Sequence, residues 1–192
     1  MILEQPLNKP RTMNRAFCLS ALLLPAFAFA QQRYSTRTGE VTFHSETPME
    51  NIDAVNHKAT AVWDLASGQV QVSMLIKAFE FEKALMQEHF NENYMDSNTF
   101  PKGEFKGKLT GFTADNAGKA GKYDVTLTGE LDIHGVKQQR TLNGVIEVDA
   151  TGGIKATSDF IVKPGDHGIK VPGGVNVAEE IKVTARMDLQ KM

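Results

Sequence analysis

Tyr123-Asp124-Val125-Thr126-Leu127-Thr128-Gly129-Glu130-Leu131-Asp132-Ile133-His134 alternates without a break. Tyr123, Val125, Leu127, Gly129, Leu131 and Ile133 fall on one side, and polar residues fill every position between them. A period of two belongs to a strand with one dry face and one wet face, since a helix repeats at about 3.6 residues. A turn at His134-Gly135-Val136-Lys137 follows. The alternation resumes with Leu142, Gly144, Ile146 and Val148 against Thr141, Asn143, Glu147 and Asp149, with Val145 as the exception. Two such runs joined by a Gly turn make an antiparallel hairpin.

The pattern spreads outward from this hairpin. Downstream, Thr151-Gly152-Gly153 turns the chain into Ile154, Ala156, Ser158, Phe160 and Val162. A Gly/Pro-rich loop from Pro164 to Gly174 leads to Ile181, Val183, Ala185, Met187 and Leu189. Upstream, Ala59, Ala61 and Trp63 pass through Ser67-Gly68 to Val70, Val72, Met74 and Ile76. Leu75 and Phe79 interrupt the polar side there, so that strand reads as apolar on both faces. The pattern yields about eight strands, of which 122–133 and 179–190 are long. Long alternating strands in chain order favour an all-β, eight-stranded antiparallel barrel over a sandwich, and closure removes exposed edges.

One segment, Phe81 to Asp96, reads as helix. Phe81, Leu85 and His89 form one row, and Met86, Phe90 and Tyr94 the next, giving a broad apolar stripe ended by Pro101. A single helix between strands is expected to cover a barrel mouth. A barrel of this size holds either side chains or one small ligand. The small inward residues Gly129, Gly144, Ala156, Ser158 and Ala185 either leave room or relieve crowding where strands coil.

Composition narrows the classes. The chain has 192 residues, 41% hydrophobic and 23% charged, with net charge −2. Mean hydropathy is −0.28. These values suit one globular domain and exclude a polytopic helical membrane protein or a disordered chain. No Lys/Arg stripe is present, which argues against nucleic acid as a partner. Arg15 precedes an apolar run, Ala16 to Leu24, which Pro25 breaks before Ala28-x-Ala30. That is the pattern of a secretory signal peptide over 1–30, too short to remain as an anchor. Glu4, Pro6 and Pro10 suit such a start poorly, which favours Met13 over Met1 as the true beginning. The domain is then 31–192, with net charge −4 and without Cys18, the only cysteine. Thiol catalysis, thiolate metal sites and disulfides are thereby excluded from it.

Catalytic and metal signals are sparse. His89 and Glu92 share a helix face beside Glu88, but no H-x-x-x-H pair exists, so no metal is expected. No G-x-S-x-G elbow, P-loop or G-x-G-x-x-G occurs. His134 is expected to serve its turn, and Asp166-His167-Gly168 to be a lid or a solvated loop. Met74, Met86 and Met95 suit an adaptable wall or ordinary packing.

Two blocks carry a resemblance. Leu85-Met86-Gln87-Glu88-His89-Phe90-Asn91-Glu92-Asn93-Tyr94-Met95-Asp96 followed by Phe100-Pro101-Lys102-Gly103-Glu104-Phe105 is one, and Gly129-Glu130-Leu131-Asp132-Ile133-His134-Gly135-Val136 is the other. In order and spacing they resemble the YceI-like family of exported, lipocalin-like polyisoprenoid-binding proteins. The strand plan extends the likeness over roughly 34–190. The first strand, Tyr34 to Phe43, and the step Glu88-His89-Phe90 depart from the usual family pattern. The resemblance implies a tunnel holding a long-chain amphiphile: an isoprenoid quinone, a polyprenyl lipid or a fatty amide. Under it the expected lining or mouth residues are Trp63, Met74, Phe79, Phe81, Leu85, Met86, His89, Phe90, Tyr94, Phe105, Leu127, Leu131, Ala156, Phe160 and Ala185.

The expected function is an exported, periplasmic or secreted, non-enzymatic carrier of a hydrophobic ligand. No cofactor is implied beyond such a lipid, no stable membrane insertion is expected, and a second copy of the chain is a candidate partner. The alternatives are a ligand-free structural or stress-response barrel, and a hydrolase or isomerase using His89 and Glu88 at the mouth. If the leader is read correctly, protein recovered from the periplasm begins at Gln31 by N-terminal sequencing and intact mass. Recovery of a chain starting at Met1 or Met13 would refute it.

Overall fold

The computed structural model describes residues 32–48, 50–171 and 177–192. The leader expected over 1–30 lies outside them.

The strands are β1 (Arg33–Glu46), β2 (Asn51–Asp64), β3 (Gln69–Leu75), β4 (Glu80–Phe81), β5 (Lys102–Thr110), β6 (Gly121–Ile133), β7 (Val136–Val148), β8 (Ile154–Val162) and β9 (Ile181–Lys191). Eight of them form one ring in the order β1-β9-β8-β7-β6-β5-β3-β2, which closes through β1–β2 pairing. Every pair is antiparallel. The two-residue β4 lies outside the ring and pairs only with β2. The eight-stranded barrel read from the alternation is thus observed, and strand β1, which the alternation did not delimit, completes it.

The Tyr123–Val148 hairpin pairs in full register from Gly121↔Val148 to Ile133↔Val136. Its loop is His134-Gly135, with φ of 54° and 72°. Two residues at positive φ make the turn whose twist matches the flanking strands.

Strands β1 and β2 are less regular. Their pairing slips between Thr36 and Gly39 and again between Gly39 and Val41. The inward set therefore changes phase, from Ala54 and Asn56 to Ala59, Ala61 and Trp63. A bulge lets a long strand bend while keeping its apolar residues inside. Asn56, fully buried, satisfies the bulge. Its Oδ1 accepts from the Lys58 N–H at 2.8 Å and its Nδ2 donates to the Leu75 carbonyl at 2.9 Å.

The helix is shorter than expected. Helix α1 spans Ala84–His89, and Phe90–Tyr94 continue it as a wider π-helical turn. Phe81 belongs to β4 and not to the helix. Leu85, placed on the apolar stripe by spacing, is 61% exposed. The helix starts three residues later than its periodicity suggested because Phe81 pairs with Ala54 on β2. A second helix, α2, is only Ala114–Ala117. The strand expected to be apolar on both faces ends at Leu75, which is 52% exposed. A 3₁₀ turn over Ile76–Ala78 then redirects Phe79 inward, where it is buried.

The small inward residues relieve crowding. A Cβ on Gly129 would strike the Lys106 carbonyl and the Gly107 Cα on the paired strand β5. A Cβ on Gly144 would lie 2.9 Å from the Thr157 carbonyl oxygen. The Ser158 hydroxyl donates to the Asn143 carbonyl at 2.7 Å.

The bulge gives a stability test. Replacing Asn56 by Ala removes both of these part-buried hydrogen bonds, each of which contributes about 0.5–1.5 kcal/mol. Chemical denaturation should show a loss of that order for Asn56→Ala. A loss within about 0.5 kcal/mol, typical of surface changes, would show that the bulge does not need the amide.

Candidate functional site

The two ends of the barrel differ because the connections differ. At one end β2–β3 and β7–β8 are joined by short turns, and β5–β6 by a loop carrying α2. This end is filled. Trp63 is 2% exposed and packs on Tyr34 and Phe112 at ring distances of 5.7 and 5.3 Å. Tyr123 closes the group against Phe112 at 5.2 Å. Val125, Ile146, Val148, Ile154 and Leu189 are buried in the same cluster.

At the opposite end two long connections, residues 76–101 and the described residues 163–171 and 177–180, arch over the opening. Beneath them lies a cavity of about 420 Å³. That falls in the range of about 300–1,000 Å³ usual for small-molecule sites. Its wall comes from both arches and from the mouth ends of the strands: Val41, Phe43 and Ser45 on β1, Leu131 and Ile133 on β6, Phe160 and Val162 on β8, Ile181 and Val183 on β9. Pro164, Ile169, Val171 and Val177 of the second arch complete it.

Four phenylalanines gather on one side of the cavity. Phe43 lies 5.3, 5.7 and 5.4 Å from Phe79, Phe81 and Phe90, and Phe90 lies 5.6 and 5.0 Å from Phe79 and Phe81. Tilted and edge-on pairs at this spacing stabilise one another by about 0.5–1.5 kcal/mol each beyond burial. The cluster fastens α1 and β4 to β1 through ring packing.

The polar side chains of the wall are Ser45, Glu50, His89 and Tyr94. Ser45 is 1% exposed, and its oxygen accepts from the Ala178 N–H at 2.9 Å, tying the second arch to β1. Glu50 lies in the β1–β2 turn, 3.0 Å from Lys83 Nζ at the start of α1. Lys163 and Glu180 meet at 2.9 Å across the feet of the second arch, and the Glu180 carboxylate holds the Lys163 ammonium above the usual lysine range.

The second arch begins with a 3₁₀ turn over Pro164–His167. His167 is fully buried. Its Nδ1 donates to the Val136 carbonyl at 3.2 Å, and His134 Nδ1 donates to the His167 carbonyl at 3.3 Å. The expectation of a lid or solvated loop at Asp166-His167-Gly168 is therefore replaced by a pinned turn. His134 serves its hairpin and also packs on Phe100 at 4.3 Å.

Met74, Phe79, Phe81, Met86, His89, Phe90, Tyr94, Leu131 and Phe160 lie on the cavity wall. Trp63 lies in the filled end. Leu127, Ala156 and Ala185 pack against the buried core, Phe105 sits in a neighbouring cluster with Leu131, Leu142 and Val162, and Leu85 points to solvent. Phe43, Ile76 and Gly103 line the cavity without having been expected there from sequence, and Met95, which suited an adaptable wall or ordinary packing, lines it too. The Val41-Phe43-Ser45 alternation on β1 was a usable signal for one of them. Among the described residues no three His, Asp or Glu side chains are grouped to hold a metal ion. Among the same residues no helix is long and apolar enough to cross a membrane.

Fold and cavity together define a closed antiparallel barrel with an apolar chamber at one end. The sequence matches the model of the YceI-like domain over residues 27–189, so the chain belongs to the YceI-like family. Solved structures share the fold. A polyisoprenoid binding domain from Saccharophagus degradans, implicated in plant cell wall breakdown, aligns with a TM-score of 0.70 at 11% identity, covering 84% of this chain and 99% of its own. BcnA from Burkholderia cenocepacia aligns at 0.64 and 15% identity, covering 79% and 96%. The YceI protein of Campylobacter jejuni aligns at 0.58 and 18% identity, covering 77% and 88%. No curated protein sequence matches the chain.

Gly103 offers a direct test of the chamber. A Cβ there meets only Ile76 and Met74 side chains at 3.7 Å, an ordinary contact. Gly103→Leu should fold with near wild-type stability yet weaken uptake of a fluorescent apolar probe by about tenfold or more, equivalent to about 1.4 kcal/mol. Unchanged uptake by a folded Gly103→Leu protein would place the binding volume elsewhere.

Proposed function

We propose that the protein holds the tail of a long-chain amphiphile, isoprenoid or fatty, in the one-ended chamber, and that it sequesters or carries this ligand outside the cytoplasm. The observation that carries the reading is the wall itself. It is apolar except at Ser45, Glu50, His89 and Tyr94, and it surrounds about 420 Å³. An apolar tail leaving water gains about 0.8 kcal/mol per methylene. A chain of several such units binds tightly without a polar anchor, even after the costs of association. The Saccharophagus degradans neighbour, described as polyisoprenoid binding, supports the same ligand class. The signal-peptide pattern of residues 1–30 supports export.

Binding is favoured over catalysis because His89 lines the chamber while Glu88 lines a separate hollow with Lys77 and Glu92, so the two do not address one reacting atom. The protein should be expressed with its own leader, purified without detergent and extracted with organic solvent for mass spectrometry. A long-chain lipid in stoichiometric amount is expected. Absence of any such lipid, together with no uptake of added quinone or fatty amide, would overturn the proposal.

A further inference from the structure

Among the wall residues one carries a carboxylate. Glu50 lines the chamber from the β1–β2 turn, and its side chain is 33% exposed. The nearest cation, Lys83, already pairs with it at 3.0 Å. Two of the other lysines of these segments are also engaged, while Lys170 and Lys182 have no ion-pair partner among the described residues. Lys163 is bound to Glu180 at 2.9 Å, and Lys77 donates to Asn98 Oδ1 at 2.6 Å. Among the described residues no lysine or arginine lines the chamber.

The surroundings share this sign. The described residues of 46–53, 76–101 and 163–182, which frame the opening, hold eleven Asp and Glu against five Lys and no Arg. The remaining charged residues of 32–192 sum to +2, so negative charge is concentrated at the mouth. An amphiphile whose tail fills the chamber leaves its head among these groups. An anionic head there would lose water and meet the Glu50 carboxylate, which Lys83 offsets in part, within segments whose eleven acids outnumber their five lysines. A head that donates hydrogen bonds would find an acceptor in the carboxylate, and charge-assisted bonds of this kind are the stronger ones.

We propose that Glu50 sets the head-group preference of the chamber. Amphiphiles with uncharged, hydrogen-bond-donating heads, such as primary amides and alcohols, are admitted, while carboxylates and phosphates are turned away. Glu50 is here a specificity-determining residue, and the inference rests on the amphiphile-binding reading given above.

The test uses probes that share one tail. Oleamide, oleyl alcohol and oleate are titrated against a neutral fluorescent probe, N-phenyl-1-naphthylamine, at about pH 8, where the carboxylic acids are ionised and an ordinary imidazole is not. Oleamide and oleyl alcohol should displace the probe from the wild-type protein at least about tenfold more tightly than oleate. Glu50→Gln should bring the three within about threefold, and Lys83→Met, which strips the carboxylate of its partner, should widen the gap. Raising ionic strength from about 0.01 to 1 M shortens the screening length from about 30 to 3 Å and should narrow the wild-type gap as well. Equal binding of oleate and oleamide by the wild type would overturn this inference and leave the amphiphile reading standing. A gap that persists unchanged in Glu50→Gln would overturn the role of Glu50. Failure of the probe and all three lipids to bind would overturn the amphiphile reading itself.

Discussion

Closure of β1 onto β2 is the constraint from which the rest follows. Eight strands in a ring have a nearly fixed girth, just wide enough for facing side chains to meet across it. Both strands of the closing pair have 14 residues, and straight strands of that length would carry half their apolar residues to the outside as the sheet curls. The double slip at Thr36–Val41 removes this conflict by rotating the pattern midway along the barrel. Asn56 is the side chain that makes the slip tolerable, since its amide meets backbone groups the bulge frees.

Once the girth is fixed, what fills the barrel depends on side-chain size at each level. Below the bulge, Trp63, Tyr34 and Phe112 meet across the interior and exclude everything else. Above it, the inward residues are Val41, Phe43, Gly103, Leu131 and Val183, which do not reach far enough to meet. The aromatic rings at that level come from Phe79, Phe81 and Phe90, carried on the first arch and stacked against Phe43. The chamber is therefore roofed by the same rings that attach its cover.

Much of this was legible in the sequence. Alternation over 121–162 and 181–191 placed nearly every inward residue, because each of those strands has one dry face and keeps its phase. Legibility failed where phase or register changed. The bulge hides β1 and the first half of β2 from a period-two reading. Phe81 was assigned to the helix because its spacing to Leu85 and His89 suited one, and only its pairing with Ala54 on β2 decides otherwise. Whether Trp63 or Met74 faces the chamber depends on which end of the barrel each reaches, and that is a matter of register between distant strands. Alternation could not tell whether Gly129 makes room or relieves crowding; the backbone of β5 pressing against it requires the missing Cβ.

The buried His167 bears on how the chamber exchanges its contents. Its ring and carbonyl are bound to the Val136 and His134 side of the β6–β7 hairpin, and His134 is in turn stacked on Phe100. The foot of the second arch thus moves only with the hairpin, which is the most regular part of the sheet. The first arch is fastened differently: β4 pairs with β2 at Ala54↔Phe81 and Val55↔Glu80. Beyond β4 it is held by the phenylalanine contacts of Phe90, by Phe100 against His134 and by the Glu50–Lys83 pair. The opening is asymmetric in how it is fastened: buried histidine hydrogen bonds hold one side, and a two-residue backbone pair with aromatic rings holds the other. What a passing tail would have to displace is therefore unequal on the two sides of the mouth: rings that can repack beside α1, and buried hydrogen bonds beside the second arch.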